Sequence, residues 1–355
     1  MIVHQWVPAA HRGDAVGDHT RALRELFRRW GHQSDVFAIE IDEELHGDVR
    51  PWTDPAARAG DVTILHFAQS SPMTAEFAHL HGRRVLQYHN VTPAAFFAPF
   101  DTGLARIAAA ARNEVKALVR SVHLAAGDSD YNRRELEALG FRRTIVVPLL
   151  VNTARLREAP RRPALEALLQ DGLANILFVG RIAPNKKIED HLRMAEHYKR
   201  YVDGSYRFIF VGRHDAVPAY YRAIRSLVAE YRMLPERFLF PGAVPDEDLA
   251  AYYRHAHAYV SLSEHEGFCA PLVEAMAMDV PVLAYAAAAV PETLGGAGVS
   301  FAPKDLEQAA EWLGALIYDQ PVRQSVIEGQ RRRVRDFDRA RVEPDVHRML
   351  ETVTS

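Results

Sequence analysis

The sequence predicts an α/β fold made of two consecutive Rossmann-like domains, each built around a parallel sheet. Short apolar segments alternate with longer amphipathic ones, which is the pattern of repeated β-α-β units. The alternation restarts in the second half, after a segment from Asn152 to Leu173 that is poor in strand signal and contains Pro160 and Pro163. The length of 355 residues also favours two domains, at roughly 150 residues each.

The apolar segments give a series of predicted strands in each half, with helices between them. Leucines and aromatic residues at helical spacing predict helices from Thr20 to Trp30 and from Gly103 to Arg120. In the first half the predicted strands are Ile2–Val7, Ser34–Ile39, Val62–Phe67, Arg84–Tyr88, Val122–Ala126 and Thr144–Val147. In the second half they are Asn175–Val179, Arg207–Val211, Phe238–Phe240, Tyr259–Leu262, Val282–Ala284 and Ser300–Phe301.

Composition and charge limit the classes of function. The formal net charge of -3 gives no general case for binding nucleic acid. The 17 histidines are scattered, and neither H-E-x-x-H nor paired Cys/His spacing occurs, so no metal site is predicted. No apolar run approaches the ~20 residues of a membrane-spanning helix, and Met1 to Val7 lacks the features of a signal peptide. A cytoplasmic protein is expected; peripheral membrane contact and oligomeric state stay open.

The strongest local pattern lies between Ser261 and Met278. A predicted strand leads into a polar loop that contains Gly267, and Pro271 suits the first turn of a helix. Backbone N–H groups near Leu272 and Val273 would then face the carboxyl edge of the sheet, where a helix N-terminus is a ready site for an anion.

Glu266 and Glu274 flank this predicted anion site. Carboxylates repel phosphate but accept hydrogen bonds from hydroxyl groups, so the pair suits a ribose and a hexose beside a diphosphate. An isolated pair would be interpreted more simply, as one capping and one solvated glutamate. The strand, the glycine loop and the proline favour the ligand site.

A second candidate for binding phosphate follows the first strand of the second half. Gly180 and Arg181 end that strand, and the chain continues to Lys186 and Lys187. Arginine offers a planar fork of donors and lysine a point charge, which together suit a diphosphate. A solvated basic loop is the alternative, but the glycine and the strand end favour an anion site.

Together these segments resemble glycosyltransferase family 4, the glycosyl transferases group 1, whose members have the GT-B fold. The resemblance is carried by the Gly180–Lys186 spacing and by a run whose two glutamates are separated by seven residues in the family pattern E-G-F-G-x-P-x-x-E-A. Cys269 departs from that pattern, because glycine is usual there. The run reads Glu266-Gly267-Phe268-Cys269-Ala270-Pro271-Leu272-Val273-Glu274-Ala275.

The resemblance implies a GT-B architecture, with two domains facing each other across a cleft. The expected domains are 1–152 on the acceptor side, 153–330 for the donor, and a closing helix, 331–355, that packs on the first domain and begins at the basic run Arg331–Arg333. The implied activity is metal-independent, retaining transfer of a hexose from a UDP- or GDP-sugar to a hydroxyl acceptor, in glycan or cell-envelope polysaccharide synthesis. The nucleotide-sugar is a substrate, and no cofactor is expected.

The resemblance also assigns roles to individual residues. Arg181 and Lys186, with Lys187 as the alternative, neutralise the diphosphate; Glu266 holds the sugar and Glu274 the ribose. His89 contacts the transferred sugar or the acceptor, although a structural histidine is the simpler interpretation. Further donor contacts are expected at Gly17, Val244, Gly267, Phe268, Cys269, Ala270, Leu272 and Val273.

Two other functions fit two Rossmann-like domains. A nicotinamide-dependent dehydrogenase would carry G-x-G-x-x-G after a strand, which this sequence lacks. A non-catalytic protein that binds sugar nucleotides or carbohydrate is the other alternative. The basic pair argues against it, because those cations are aimed at a leaving group.

Overall fold

The computed structural model describes residues 1–11, 13–231 and 233–355. Its chain forms two compact units. Unit 1 comprises Met1–Ala95, Thr102–Asn152 and Asp336–Ser355, whereas unit 2 comprises Phe96–Asp101 and Thr153–Arg335.

The strands form one parallel sheet in each unit. In unit 1 they are β1 Val3–Ala10, β2 Val36–Ile41, β3 Arg50–Pro51, β4 Val62–Phe67, β5 Arg83–Tyr88, β6 Leu124–Gly127 and β7 Thr144–Val146. In unit 2 they are β8 Ala174–Val179, β9 Tyr206–Val211, β10 Phe238–Gly242, β11 Ala258–Ser261, β12 Val282–Tyr285 and β13 Val299–Phe301.

The α-helices connect these strands and cover the sheets. The first seven are α1 Ala15–Arg29, α2 Met73–Phe77, α3 Ala94–Phe97, α4 Thr102–Ala117, α5 Asp130–Leu139, α6 Ala154–Arg157 and α7 Pro163–Leu169. The others are α8 Ile188–Tyr201, α9 Pro218–Glu230, α10 Asp246–Arg254, α11 Ala270–Ala277, α12 Val290–Leu294, α13 Leu306–Tyr318, α14 Gln320–Arg333 and α15 Arg339–Thr354.

The sheet of unit 1 has the strand order β3-β2-β1-β4-β5-β6-β7. Its central strands are apolar on both faces, because successive side chains of a strand point to opposite sides. Thus Ile64 packs with α1 and α15 through residues such as Phe27 and Val346. The next residue, Leu65, belongs to the cluster on the other face, with Val115 of α4.

The sheet of unit 2 has the order β10-β9-β8-β11-β12-β13. An aromatic row crosses its β9–β10 side, where Phe208 stacks on Phe238 with ring centroids 5.9 Å apart. Phe210 stacks on Phe240 at 4.9 Å in the same way. Such burial of large side chains on neighbouring strands fixes the pairing of those strands and the ends from which the loops start.

The observed elements confirm the predicted fold class of two Rossmann-like units with parallel sheets. The two-residue strand β3 lies outside the prediction, because Arg50 and Pro51 have no strand-like composition. Helix α1 begins at Ala15 rather than Thr20, and the predicted linker contains α6 and α7, which belong to unit 2.

The end of the chain differs from the prediction in one respect. The basic run Arg331–Arg333 ends α14 within unit 2 and does not begin the closing helix. The residues that return to unit 1 start at Asp336, and α15 buries Val342, Val346 and Met349 in the core of that unit. Among the described residues, no helix combines the length and the apolarity needed to cross a membrane.

Candidate functional site

The centre of the unit 2 sheet brings the two predicted ligand loops together. Strands β8 and β11 are neighbours, and their chains leave in opposite directions, towards β9 and towards β12. The crevice at such a reversal of strand order is where open α/β sheets bind ligands. The loop from Gly180 to Lys187 follows β8, and the loop from Leu262 to Cys269 follows β11, so both emerge at this point.

Asn185 joins the two loops. It is buried, and its side-chain amide donates to the carbonyl of His265 at 3.0 Å. Its own carbonyl accepts the N–H of Glu264 at 2.9 Å. Because both hydrogen bonds fix backbone positions, they hold the basic turn and the glutamate loop in one arrangement. The sequence analysis did not select Asn185, although a polar residue between two motif cations was visible.

Lys186 and Glu266 form the central ion pair of the site. The Lys186 Nζ donates to Glu266 Oε1 at 2.5 Å, and the two side chains are only 16% and 9% exposed. The cation and the carboxylate were predicted to serve the diphosphate and the sugar separately. Each neutralises the other, so a phosphate that binds here has to share Lys186 with Glu266.

Lys187 belongs to a different group of charges. Its Nζ lies 3.4 Å from Glu264 and 3.6 Å from Glu189. Burial opposes its charge, but the carboxylates of Glu189 and Glu264 outweigh that effect and raise the pKa of Lys187. Lys304 also bonds Glu264, at 3.0 Å. Of the two candidate lysines, Lys186 is therefore the one placed beside Glu266.

Arg181 differs from its neighbours because it is exposed. Over residues 1–11, 13–231 and 233–355, its guanidinium forms no hydrogen bond or ion pair. The first turn after β8 thus carries a cation whose donors are all available. Arg181 and Lys186 lie on the same short loop, and Glu266, which pairs with Lys186, lies on the neighbouring loop after β11.

The start of α11 offers fewer free donors than predicted. Pro271 has no N–H, and the N–H of Leu272 donates to the Cys269 carbonyl at 3.0 Å. The loop that precedes the helix is braced from α12, where the Thr293 hydroxyl donates to the Phe268 carbonyl. Ala289 N–H also donates to the Glu266 carbonyl, at 3.2 Å. These contacts set the positions of Gly267, Phe268 and Ala270 through their backbone.

Cys269 has the left-handed backbone conformation, with φ 70° and ψ 65°. This is the conformation that favours glycine and costs other residues about 1–2 kcal/mol, which explains why glycine is usual in the resembling motif. The thiol is buried, and burial, followed by the nearby Glu266 carboxylate, raises the pKa of Cys269 well above its ordinary value. A neutral thiol therefore fills the space beside Glu266.

Substitution of Cys269 separates backbone strain from side-chain packing. Both Cys269→Gly and Cys269→Ala remove the buried sulfur, but only glycine relieves the left-handed strain. We expect the glycine variant to be more stable than the alanine variant by about 1 kcal/mol in urea unfolding. An alanine variant as stable as the glycine variant would contradict strain at this position.

Glu274 is buried within α11, beyond its first turn, and has two partners. Tyr253 donates its hydroxyl to Oε2 at 2.9 Å, and Arg155 of α6 donates to Oε1. Arg155 also pairs with Asp246 at the start of α10, directly after the loop that contains Val244. A carboxylate has about four acceptor positions, so room for ribose hydroxyls remains. Arg155, which sequence reasoning left in a linker, connects the predicted ribose and base positions.

An aromatic segment from the first half of the sequence also belongs to this unit. Phe96–Asp101 groups with unit 2, although sequence analysis placed it in the first domain. The Phe96 ring lies 5.9 Å from Lys187 Nζ and 6.3 Å from the His265 ring. Phe100 packs edge-on against Tyr220 at 5.1 Å. Apolar burial against unit 2 outweighs the position in the sequence, and only the density of phenylalanines hinted at it.

In unit 1, Gly17 lies in the first turn of α1 and not in a loop. Asp14 caps this helix and accepts the Gly17 N–H at 3.1 Å, so that donor is already occupied. A Cβ at this position would lie 3.1 Å from the His11 carbonyl. Glycine fits closely here because the backbone of His11 passes near the helix.

His89 follows β5 and is enclosed by polar side chains. Its Nδ1 lies 2.8 Å from Asp128 and its Nε2 lies 2.9 Å from His66, and its side chain is 2% exposed. Both ring nitrogens are therefore engaged within unit 1. The predicted direct contact between His89 and a sugar hydroxyl has no ring nitrogen free to make it in this arrangement.

No group of three or more His, Cys, Asp or Glu side chains suited to hold a metal ion occurs in the described part of the chain. The charged groups that meet at the unit 2 crevice are instead those of Arg181, Lys186, Glu266 and Glu274. This set can bind an anion and hydroxyl groups at once.

The chain resembles known proteins in the same regions. Residues 166–333 match the family model described as glycosyl transferases group 1. GDP-mannose-dependent alpha-mannosyltransferase of Mycobacterium tuberculosis (strain CDC 1551 / Oshkosh) is 26% identical over 316 residues, which cover 80% of this chain and 78% of that protein. O-antigen chain mannosyltransferase B of Escherichia coli is 42% identical over 66 residues, covering 19% of this chain and only 17% of that protein.

A solved structure extends the likeness to the whole fold. Anabaena HepE in complex with UDP-glucose superposes with a TM-score of 0.80 at 15% identity, covering 99% of this chain and 100% of that one. The two parallel-sheet units therefore form a GT-B fold. The match to glycosyl transferases group 1 covers residues 166–333, the range that contains both ligand loops of unit 2.

Proposed function

We propose that this protein is a retaining glycosyltransferase of family 4 that moves a hexose from a UDP- or GDP-sugar to an acceptor hydroxyl without a metal ion. The observation that carries the proposal is the loop after β8, where exposed Arg181 precedes the Lys186–Glu266 ion pair at the point of strand reversal. Two cations on one turn suit a diphosphate, and a carboxylate within 2.5 Å of one of them suits the attached sugar.

The chemistry follows from this charge arrangement. The bond between the anomeric carbon and the phosphate oxygen breaks, and the acceptor oxygen forms the new bond on the same face of the sugar. The acceptor proton passes to the departing phosphate oxygen, so no separate protein base is required. Arg181 and Lys186 stabilise the negative charge that grows on the diphosphate, which is the kind of effect that often dominates catalysis.

Glu266 and Glu274 act on hydroxyl groups in this proposal. Glu266, held by Lys186, accepts from the hexose, and Glu274 accepts from the ribose. The Tyr253 and Arg155 contacts fix the orientation of the Glu274 carboxylate before the donor arrives. The base loop at Val244 is coupled to the same carboxylate through Asp246 and Arg155.

The comparisons guide the choice of donor and acceptor. The two curated relatives are named as mannosyltransferases, one of them GDP-mannose-dependent, whereas the superposed structure holds UDP-glucose. We therefore rank GDP-mannose first and UDP-glucose second. A glycan or a cell-envelope polysaccharide is the proposed acceptor, because one relative is named for an O-antigen chain. The cytoplasm is the proposed compartment, and peripheral contact with a membrane is compatible with it.

A donor screen tests the proposal directly. The purified chain is incubated with GDP-mannose, UDP-glucose and related nucleotide-sugars, with and without excess chelator, and release of GDP or UDP is measured. We expect one donor to be hydrolysed slowly, at the same rate with chelator, with the anomeric configuration retained in the products of acceptor-dependent turnover. Loss of turnover in chelator would contradict metal independence, and binding without any turnover would contradict the proposed chemistry.

A further inference from the structure

A continuous line of hydrogen bonds crosses the carboxyl edge of the unit 1 sheet. Asp128 Oδ2 lies 2.8 Å from His89 Nδ1, and His89 Nε2 lies 2.9 Å from His66 Nδ1. His66 Nε2 then lies 2.9 Å from Gln5 Oε1, and the Gln5 amide donates to the Thr20 carbonyl at 2.9 Å. These residues come from or directly follow the neighbouring strands β6, β5, β4 and β1, and Thr20 lies on α1.

The two ends of this line, the Thr20 carbonyl and the Asp128 carboxylate, can only accept hydrogen bonds. The Thr20 carbonyl requires the amide nitrogen of Gln5 to face it, so the Gln5 oxygen must face His66. Reversing the amide would place two acceptors against each other. At the other end, Asp128 offers a carboxylate, whose second oxygen already accepts from Gln87 at 2.7 Å.

The number of protons follows from these fixed ends. The contacts from Asp128 through His89 and His66 to Gln5 are three, and each needs one proton. Two neutral imidazoles carry only two N–H protons between them. The line is complete only when it holds one more, and imidazole is a stronger base than a carboxylate. The additional proton therefore belongs to the rings.

We propose that His66 and His89 share one additional proton, balanced by Asp128, and that this singly charged pair is a positioning element for the first turn of α1. The titratable groups that face the pair are Asp128 and His19. Burial and then the charge of His89 lower the pKa of His66 and of His19 well below its ordinary value. His89 is the ring of the pair that contacts the carboxylate.

The positioning acts through hydrogen bonds alone. Gln5 can accept from His66 only while His66 keeps its Nε2 proton, and Gln5 in turn holds the Thr20 carbonyl. The Thr20 hydroxyl donates to the Gly17 carbonyl at 2.7 Å, which ties the line to the glycine turn. The role of that turn in binding the donor rests on the proposed function. The number of protons in the line does not depend on it.

His191 in unit 2 offers an internal contrast. Its two nitrogens also face acceptors, the carbonyls of Lys187 at 3.0 Å and Val260 at 3.3 Å. Among the residues that the structure describes, no carboxylate bonds to this ring, and burial lowers its pKa to about 4. His191 is therefore neutral, and one of its two contacts carries no proton. A hydrogen-bonded carboxylate is what distinguishes the His66–His89 pair.

Nitrogen NMR of the full chain, labelled with ¹⁵N-histidine and without donor or acceptor, tests the proton count. Spectra of His66→Gln and His89→Gln assign the two rings. At about pH 7, we expect one ring of the pair to be protonated on both nitrogens and the other on Nε2 only, while His191 stays neutral. Both His66 and His89 carrying a single proton at that pH would overturn the proposal, whatever the enzyme transfers.

Asp128→Asn tests the balancing charge, because the asparagine oxygen can accept from His89, with loss of the Gln87 hydrogen bond, but carries no charge. We expect the second proton of the pair to be lost at a pH lower by about one unit or more. Loss of this proton at high pH should slow sugar transfer, and the midpoint of that decline should move by the same amount. Asp130→Asn, two residues away and paired with Arg133 and Arg134, is the matched control and should leave both midpoints unchanged. Unchanged midpoints in Asp128→Asn would overturn the role of the carboxylate; if that variant does not fold, the wild-type spectrum still decides the count.

Discussion

Replacing Arg181 by alanine is expected to lower the rate of sugar transfer by about 10²–10³-fold, the usual effect of removing one donor that stabilises growing negative charge. The loss should fall on turnover more than on donor affinity, because charge on the diphosphate is largest in the transition state. Arg181 is exposed and has no partner within the described residues. Its truncation should therefore leave the melting temperature unchanged.

The matched control is Arg332→Ala. Arg332 is also exposed and lies on α14, whose Gln330 accepts the N–H of Val282 at the amino end of β12. That end of the sheet is opposite the ligand loops, so the control should transfer sugar at the normal rate. Steady-state kinetics of the two variants side by side decide the matter. Near-normal turnover in Arg181→Ala would remove Arg181 from the proposed diphosphate site.

The fold was predictable because burial patterns repeat along the chain. All the predicted strands of unit 2 correspond to observed ones, since Val, Ile and Phe runs bounded by polar loops have few other solutions in an α/β protein. The prediction failed where local composition is uninformative. The short β3 at Arg50–Pro51 and the membership of Phe96–Asp101 in unit 2 depend on tertiary contacts.

The sequence indicated candidate residues for the site but not the contacts between them. The sequence indicated Arg181, Lys186, Glu266 and Glu274 as groups that meet a donor, yet it gave no sign that Lys186 and Glu266 neutralise each other. Pairing of this kind depends on the exact separation of two loops that lie 80 residues apart in sequence. The Arg155 contact to Glu274, 119 residues away, could not be predicted for the same reason.

Removal of Lys186 alone should affect both stability and catalysis. In Lys186→Ala the carboxylate of Glu266, which is 9% exposed, loses its cation. An ionised group left without its partner in a largely buried position costs roughly 3 kcal/mol, at the lower end of the range because Lys186 is partly exposed. The rate of transfer should also fall by about 10²-fold or more, because a cation is missing from the diphosphate.

The double variant Lys186→Ala/Glu266→Gln separates these two effects. It removes both charges, so no buried carboxylate is left without a partner, and most of the lost stability should return. The rate of transfer should stay low, because neither substituted residue can supply positive charge to the leaving group. Urea unfolding and steady-state kinetics of the wild type, both single variants and the double variant complete the cycle. Recovery of transfer together with stability would show that the cation only neutralises Glu266.

Arg207→Ala is the control for a damaged ion pair outside the site. Arg207 lies at the amino end of β9 with a side chain 8% exposed, and it pairs with Asp171. Its loss should destabilise unit 2 without lowering turnover at temperatures where the chain stays folded. The contrast matters because the two ion pairs differ in place: the Lys186–Glu266 pair lies at the carboxyl edge, where the strand order reverses, and the Arg207–Asp171 pair lies at the amino end of β9. At that edge Lys186, which pairs with Glu266, can also stabilise the phosphate as negative charge grows on the diphosphate.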